Sequence, residues 1–273
     1  MMRIFSPAKL NLSLSIGAAL DDGFHDVDTV IQTVSFGDTV TIEPGAAIHI
    51  RCTNPSVPTD ESNLCFRAAE VFNKYAEHTG GVLIAIEKNI PIGSGLGGGA
   101  SNAAAVLKGL NKLNGALLSQ EKLIKCAALV GSDVPSFILG GTIHGAHHGE
   151  HVSPLPPIPL CWFVIVDTGV AVNTKDAYGW WDEASLNMKQ IPVPYEASLK
   201  WLTDHAANDF MAVISKRFPA ILENIKALER LGAARARLTG SGGCVFGIFT
   251  DEASARRSAR AFQKAYLATP YSH

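Results

Sequence analysis

The chain has 273 residues, of which 47% are hydrophobic and 18% are charged, so it can bury a full hydrophobic core and form one or two domains. Its formal net charge of -2 provides no overall positive field of the kind that non-specific nucleic-acid binding requires. We therefore expect no nucleic-acid partner.

The cysteines and the amino terminus give further limits. The five cysteines are odd in number and never form a C-x-x-C motif, which predicts reduced, buried thiols rather than disulfides or a zinc site. The amino terminus lacks the apolar stretch of a signal peptide, and no apolar run approaches the length of a membrane span. These features predict a cytoplasmic protein without a membrane partner.

The first half of the chain is rich in predicted strands. Alternating apolar residues or β-prone runs predict strands over residues 10–16, 29–35, 39–42, 48–52 and 82–87. Helical spacing of apolar residues predicts a helix over residues 64–75, with Asp60 or Ser62 as its N-cap. Two further helices are expected over residues 103–113 and 121–130.

The proline-rich segment 154–159 cannot continue a helix or a central strand, so it predicts a domain boundary, with domains at residues 1–155 and 156–273. The second domain is expected to contain strands, helices and one glycine turn, in the chain order strand 161–166, helices 175–183, 206–217 and 220–231, strand 233–238, turn 239–243, strand 244–249 and helix 252–266. Helices and strands do not alternate steadily, which favours an α+β fold over a doubly wound parallel sheet.

The strongest local signal is the glycine-rich loop of residues 91–104, which follows a predicted strand and opens a predicted helix. Five of its residues are glycine. Glycine allows close approach of a ligand to the backbone, and a helix amino terminus presents unpaired N–H groups with partial positive charge. The loop therefore predicts a cradle for phosphate, whereas a flexible linker or simple turn would need fewer glycines.

Two other phosphate-binding motifs fit the loop less well. Gly93, Gly95 and Gly98 match the dinucleotide fingerprint G-x-G-x-x-G, but no acidic residue occurs between Glu87 and Glu121 to hold the ribose. An oxidoreductase is therefore the weaker alternative. The P-loop motif G-x-x-x-x-G-K-[ST] is absent, because Lys88 precedes the glycines instead of following them.

Three glycine-containing motifs together resemble those of the GHMP kinases. Residues 91–104 read Pro-x-x-x-Gly-Leu-Gly-Gly-Gly-x-Ser-Asn-Ala-Ala, residues 7–12 with 22–25 are similar to the first motif of one branch, and residues 238–246 are similar to the third motif. Residues 131–135 and 208–209 also agree, in the expected order. The branch with this first motif acts on a sugar alcohol linked to cytidine diphosphate.

The resemblance implies two α+β domains with ATP and a small-molecule substrate in the cleft between them. It assigns Asp133 to accept or orient the proton of the substrate hydroxyl, and Lys9 to stabilise the developing alkoxide or keep Asp133 ionised. Taken alone, Asp133 could equally be a helix N-cap and Lys9 a solvated charge on a strand. The phosphate cradle would be formed by Pro91, Gly93, Gly95, Leu96, Gly97, Gly98, Gly99, Ala100 and Ser101.

Cofactor and substrate residues follow from the same resemblance. Ser101, in the first helical turn, is the expected ligand of Mg²⁺, and Asn63 is a candidate for the adenine. His25 would hydrogen-bond the edge of cytosine while Phe24 and Tyr178 stack on its two faces. The remaining substrate contacts are expected from Asn11, Gly240 and Ser241.

The chain departs from the family pattern at three places. No basic residue precedes Asp22, Phe24 replaces the usual tyrosine, and Ala100 replaces the first serine of the loop. The alternatives within this fold are a kinase for homoserine or mevalonate and a binding protein without turnover. The sequence allows a monomer or a homodimer.

Four histidines at residues 144, 147, 148 and 151 have the spacing of one helical face, which can bind transition metals. Glycines at residues 140, 141, 145 and 149 interrupt the same segment and make a helix improbable. The imidazoles are therefore not expected to converge, and we predict no metal site here.

Overall fold

The structure is a computed structural model that describes residues 1–21, 23–77, 80–184 and 194–272. A seven-stranded sheet and a four-stranded sheet form its framework. The strands are β1 (Met2–Ala19), β2 (His25–Gly45), β3 (His49–Cys52), β4 (Gly81–Glu87), β5 (Thr142–His147), β6 (His151–Pro154), β7 (Trp162–Asp167), β8 (Ala207–Asn208), β9 (Arg235–Leu238), β10 (Cys244–Phe249) and β11 (Ala265–Ala268).

The described helices pack against these sheets. They are α1 (Leu64–Tyr75), α2 (Gly98–Leu113), α3 (Gln120–Val130), α4 (Val134–Leu139), α5 (Thr174–Glu183), α6 (Leu199–His205), α7 (Met211–Arg217), α8 (Pro219–Arg230) and α9 (Glu252–Ala259). None of these helices combines the length and the apolar composition needed to cross a membrane.

The long antiparallel pair β1 and β2 is the centre of the first sheet, whose strand order is β3-β4-β2-β1-β8. β2 changes partner along its length, because its first part pairs with β5 and its last part pairs with β4. β5 in turn pairs with β6 in a hairpin. In the second sheet the order is β11-β7-β10-β9.

Three buried clusters of apolar side chains hold these layers together. One joins α1, α2 and α3 to the first sheet, and another joins α5, α7 and α8 to the second sheet. The third contains Leu10 and Leu12 of β1 together with Phe163 of β7 and Phe246 of β10. Because this cluster draws on both sheets, it fixes their relative position around the space described below.

The predicted α+β class is confirmed, and most predicted elements are present. β10 has the predicted bounds, and α1, α3, α5 and α8 differ from prediction by at most one residue at either end. The proline-rich segment leads from β6 in the first sheet to β7 in the second. The domain boundary that we propose at residues 155 and 156 falls in this connection.

Several predictions about individual elements were wrong. The predicted helix 252–266 ends at Ala259, because β11 follows it and pairs with β7. The predicted helix 206–217 is divided between the short strand β8 and α7. The N-cap of α1 is Asn63, since its side chain accepts a hydrogen bond from the Cys65 N–H, and not Asp60 or Ser62. Helix α4 and the β5–β6 hairpin were missed.

Candidate active site

The glycine-rich loop leads into α2, and its backbone conformation requires glycine. Gly93, Gly95 and Gly97 have φ values of 66°, 79° and 71°, a region that side chains disfavour. Gly97 is the N-cap of α2 and offers no side-chain hydrogen bond, so the first N–H groups of the helix remain available for a ligand. The helix begins at Gly98, five residues before the predicted start.

A second glycine turn, residues 239–243, packs directly on this loop. The Cys244 N–H donates to the Ser94 carbonyl at 3.0 Å, and a Cβ at Gly242 would collide with the backbone of Gly95. A Cβ at Gly240 would lie 2.9 Å from the Gly95 carbonyl oxygen. Close approach of the two backbones therefore explains why the turn between β9 and β10 is so rich in glycine.

Lys9 lies under the contact between these two glycine segments. Its backbone N–H donates to the Leu96 carbonyl at 3.0 Å, and its Nζ donates to Oδ1 of Asn11. Burial lowers the pKa of the Lys9 ammonium, while the negative charge of Asp133 acts in the opposite direction. The carboxylate of Asp133 is therefore the charged group that offsets the effect of burial on the pKa of Lys9.

Asp133 occupies the N-cap position of α4, but its side chain makes no capping hydrogen bond. Its carboxylate instead lines the large cavity, and it is the only acidic side chain among the described residues that do so. Its contacts therefore do not support the alternative in which Asp133 serves only to cap the helix.

Asn11 is held in the same region by two hydrogen bonds. Its Nδ2 donates to Oγ1 of Thr29 at 2.8 Å, and its backbone N–H donates to Oγ1 of Thr239 at 3.1 Å.

Aromatic rings form one wall of the cavity. Tyr178 stacks on His25, with ring centroids 5.2 Å apart, and Nε2 of His25 lies 2.9 Å from Oδ1 of Asp182. Burial, with a smaller contribution from the charge of Asp133, raises the pKa of Tyr178 to about 12. Phe24 stacks on His148 at 4.7 Å.

The cavity enclosed by these groups has a volume of about 610 Å³, a size typical of small-molecule sites. Most of the residues predicted from the sequence line it. They are Lys9, Asn11, Phe24, His25, Asn63, Pro91, Gly93, Gly95, Gly97, Gly98, Gly99, Ala100, Asp133, Tyr178, Gly240 and Ser241. Leu96 and Ser101 are buried behind this surface.

Two expectations about site residues need correction. Ser101 was expected to face the cradle, but it is 1% exposed and its hydroxyl accepts a hydrogen bond from Ser6 at 2.7 Å. Asn63 lines the cavity, yet its side chain is engaged as the N-cap of α1 and donates to the Pro58 carbonyl.

Lys88 was missed as a candidate for the site. It lines the cavity, and a Cβ at Gly98 would lie 2.8 Å from its Nζ, which places the ammonium beside the start of α2. Nζ also lies 2.6 Å from Oδ2 of the fully buried Asp38, whose other oxygen accepts from the N–H groups of Asn89 and Ile90. A lysine five residues before the first glycine of the loop was the available sequence signal.

Comparisons with known proteins agree with this architecture. The GHMP kinases N terminal domain matches residues 63–141, and the GHMP kinases C terminal domain matches residues 195–268. A crystal structure of homoserine kinase from Cytophaga hutchinsonii superposes with a TM-score of 0.73 over 99% of this chain and 94% of that chain, at 19% identity. The fold is that of the GHMP kinases.

Relatives with higher identity define the branch. The 4-diphosphocytidyl-2-C-methyl-D-erythritol kinase of Syntrophus aciditrophicus is 36% identical over 263 residues, which cover 94% of this chain and 93% of the relative. A crystal structure of 4-(cytidine 5'-diphospho)-2C-methyl-D-erythritol kinase superposes with a TM-score of 0.83 at 32% identity, over 98% of both chains. The chain belongs to the 4-diphosphocytidyl-2-C-methyl-D-erythritol kinase family.

Proposed function

We propose that the protein transfers the γ-phosphate of ATP to the 2-hydroxyl of 4-diphosphocytidyl-2-C-methyl-D-erythritol, a step of the methylerythritol phosphate route to isoprenoid precursors, in the cytoplasm. The observation that carries this proposal is that a buried ammonium, Lys9, and a carboxylate, Asp133, line the same cavity, next to a glycine cradle at a helix amino terminus. The family membership supports the choice of substrate.

The phosphates of ATP would bind at the start of α2. The uncapped N–H groups at this end of the helix and the partial positive charge of its dipole favour an anion. Lys88, fixed by Asp38, adds a full positive charge beside the same helix start. The three phosphates can thus be held without a P-loop lysine after the glycines.

Asp133 and Lys9 would act on the substrate hydroxyl. Asp133 accepts or orients the hydroxyl proton, which aligns the oxygen with the γ-phosphorus. Lys9, held in place by Asn11, offsets the negative charge that develops on this oxygen. The burial of Lys9 strengthens this effect, because the surrounding dielectric is low.

Mg²⁺ is the expected companion of ATP, and the donor set of the cavity fits a hard cation. Mg²⁺ usually keeps several water ligands and binds substrate phosphates together with one or two carboxylates. The chain offers the carboxylate of Asp133, whereas the hydroxyl of Ser101, which was predicted as a ligand, is buried against Ser6 and does not line the cavity. When bound, the ion would reduce the charge on the phosphate oxygens.

The cytidine end of the substrate would bind at the aromatic wall. Phe24 is exposed on the cavity beside His148, and its ring would stack on one face of a base, while Tyr178 with His25 provides a second stacked surface. The Nε2 atom of His25, now paired with Asp182, is the polar group that could turn to the base edge. Gly240 and Ser241 would meet the remaining part of the substrate.

A substrate panel tests the proposal. The purified chain is incubated with ATP and Mg²⁺ and with either the diphosphocytidyl substrate, homoserine, mevalonate or no acceptor, and ADP is measured. We expect ADP only with the diphosphocytidyl substrate, and phosphorus NMR should show the new phosphate on its 2-hydroxyl. Faster turnover of homoserine or mevalonate would assign another GHMP kinase activity, and no turnover with any acceptor would indicate a binding protein.

A further inference from the structure

The tip of the β5–β6 hairpin brings two histidines and a glutamate together. His147 is the last residue of β5 and His151 the first of β6, while Glu150 lies in the turn between them. His147 has a φ of 63° and Gly149 a φ of 97°, so the turn is tight. Helical spacing is therefore not needed for these imidazoles to converge, and the prediction that they remain apart was wrong.

The distances between the potential ligand atoms suit a transition metal. Nδ1 of His147 lies 3.0 Å from Oε1 of Glu150, and Nε2 of His151 lies 3.7 Å from the same oxygen. One ligand atom from each of the three residues falls within 4.8 Å of both others. Two ligands bound to a tetrahedral zinc ion at its usual bond lengths are about 3.3 Å apart, midway between these two distances.

Glu150 supplies a second observation. Its Oε2 atom is buried and is one of the few such atoms, among the described residues, without a hydrogen-bond partner. A buried carboxylate oxygen left in this state is unfavourable unless a cation or a donor reaches it.

We propose that His147, Glu150 and His151 form a binding site for a divalent transition metal ion of the zinc type, separate from the nucleotide cradle. Two imidazoles and one carboxylate are the donor set of many zinc sites, and water would complete the coordination. The side chains of His147 and His151 are 43% and 71% exposed, so an ion can enter from solvent without rearrangement of the core.

The site lies next to the aromatic wall of the cavity. The ring of His148 is 4.0 Å from that of His147 and stacks on Phe24 on its other side. A bound ion would join the two strands of the hairpin at its tip and so hold His147 beside His148. The hairpin-tip site therefore differs in position from the Mg²⁺ site, because ATP and its Mg²⁺ would bind in the cradle at the start of α2.

Calorimetric titration with Zn²⁺ tests the site. The full chain, without a histidine tag and stripped of metal with a chelator, is titrated in excess Mg²⁺ and without nucleotide. We expect one Zn²⁺ per chain, and we expect His151→Ala to weaken binding by at least about tenfold, since loss of even an outer partner of a metal ligand costs that much. His49→Ala, which removes an exposed histidine on β3, should bind as the parent does.

Thermal unfolding provides a second measurement. Zn²⁺ should raise the melting temperature of the parent and of His49→Ala, because an ion that binds only the folded chain stabilises it, and at the same concentration it should raise that of His151→Ala by less. The site is wrong if the parent binds no Zn²⁺ or if His151→Ala binds it as tightly as the parent. It is equally wrong if His25→Ala, beside Asp182, abolishes the binding while His151→Ala retains it.

Discussion

The carboxylate of Asp133 lines the same cavity as the buried ammonium of Lys9, and its negative charge acts on this ammonium through space. Burial lowers the pKa of Lys9, and the charge of Asp133 partly restores it. The two residues come from β1 and from the start of α4, which meet only in the folded chain. The cavity thus contains both an acceptor for a proton and a positive charge.

The burial of Lys9 predicts a pH dependence of stability. Its pKa lies below the ordinary value of 10.5 in the folded chain, so between these two values the unfolded chain binds more protons. The free energy of unfolding of the parent, relative to Lys9→Met, should therefore rise with pH in this interval and stay constant below it. Urea unfolding of both proteins across this range measures the difference, and a relative stability that falls with pH would contradict the assignment.

Gly97 is expected to tolerate no side chain. In Gly97→Ala the Cβ would lie 2.8 Å from the ring of Phe137 and 3.1 Å from Cγ of Lys9, in addition to the strain of a positive φ. We expect a loss of stability of roughly 1–3 kcal/mol from crowding, together with a higher KM for ATP. Urea unfolding and ADP release measure the two effects.

Gly115→Ala is the matched control. Gly115 has a φ of 79°, similar to Gly97, but no atom lies within 4 Å of its Cβ position. This variant should lose only about 1 kcal/mol, the cost of a left-handed backbone at a residue with a side chain, and keep the parent's KM for ATP. Equal losses in the two variants would show that crowding at the cradle is unimportant.

Tyr178 is expected to contribute its ring rather than a phenolate. Its pKa of about 12 keeps the hydroxyl protonated at neutral pH. Tyr178→Phe should therefore retain the stacking on His25 and nearly the parent's KM for the diphosphocytidyl substrate. Tyr178→Ala should raise that KM by roughly tenfold or more, given about 1–3 kcal/mol for stacking on a base, and leave the KM for ATP unchanged. Equal effects of the two variants would assign the role to the hydroxyl.

The sequence was most informative where local pattern and packing agree. β10 and α1 were predictable from their own residues. The apolar run of β10 favours a buried strand and the helical spacing of apolar residues in α1 favours a helix, and neither pattern depends on which distant segment packs against it. The glycine cradle was also predictable, since positive φ and close backbone contact leave few other residues possible.

Features that depend on distant partners were not predictable. β11 is a strand because β7 offers it an edge, and nothing in its four residues requires this. Ser101 turns away from the cradle because Ser6, 95 residues earlier, binds its hydroxyl. The histidines at the hairpin tip were judged by helical spacing, whereas the pairing of β5 with β6 brings them together.

Asp133→Asn tests the catalytic assignment most directly. The asparagine keeps the size of the side chain, and Asp133 makes no capping hydrogen bond that could be lost, so the chain should stay folded, with a lower melting temperature only to the extent that the charge of Asp133 stabilises the buried Lys9 ammonium. Single-turnover transfer from ATP to the diphosphocytidyl substrate should slow by about 10²–10⁴-fold, the usual contribution of a positioned acid or base. Glu121→Gln, at an exposed carboxylate of α3, should react at the parent's rate. Transfer by Asp133→Asn at the parent's rate would contradict the role assigned to this carboxylate.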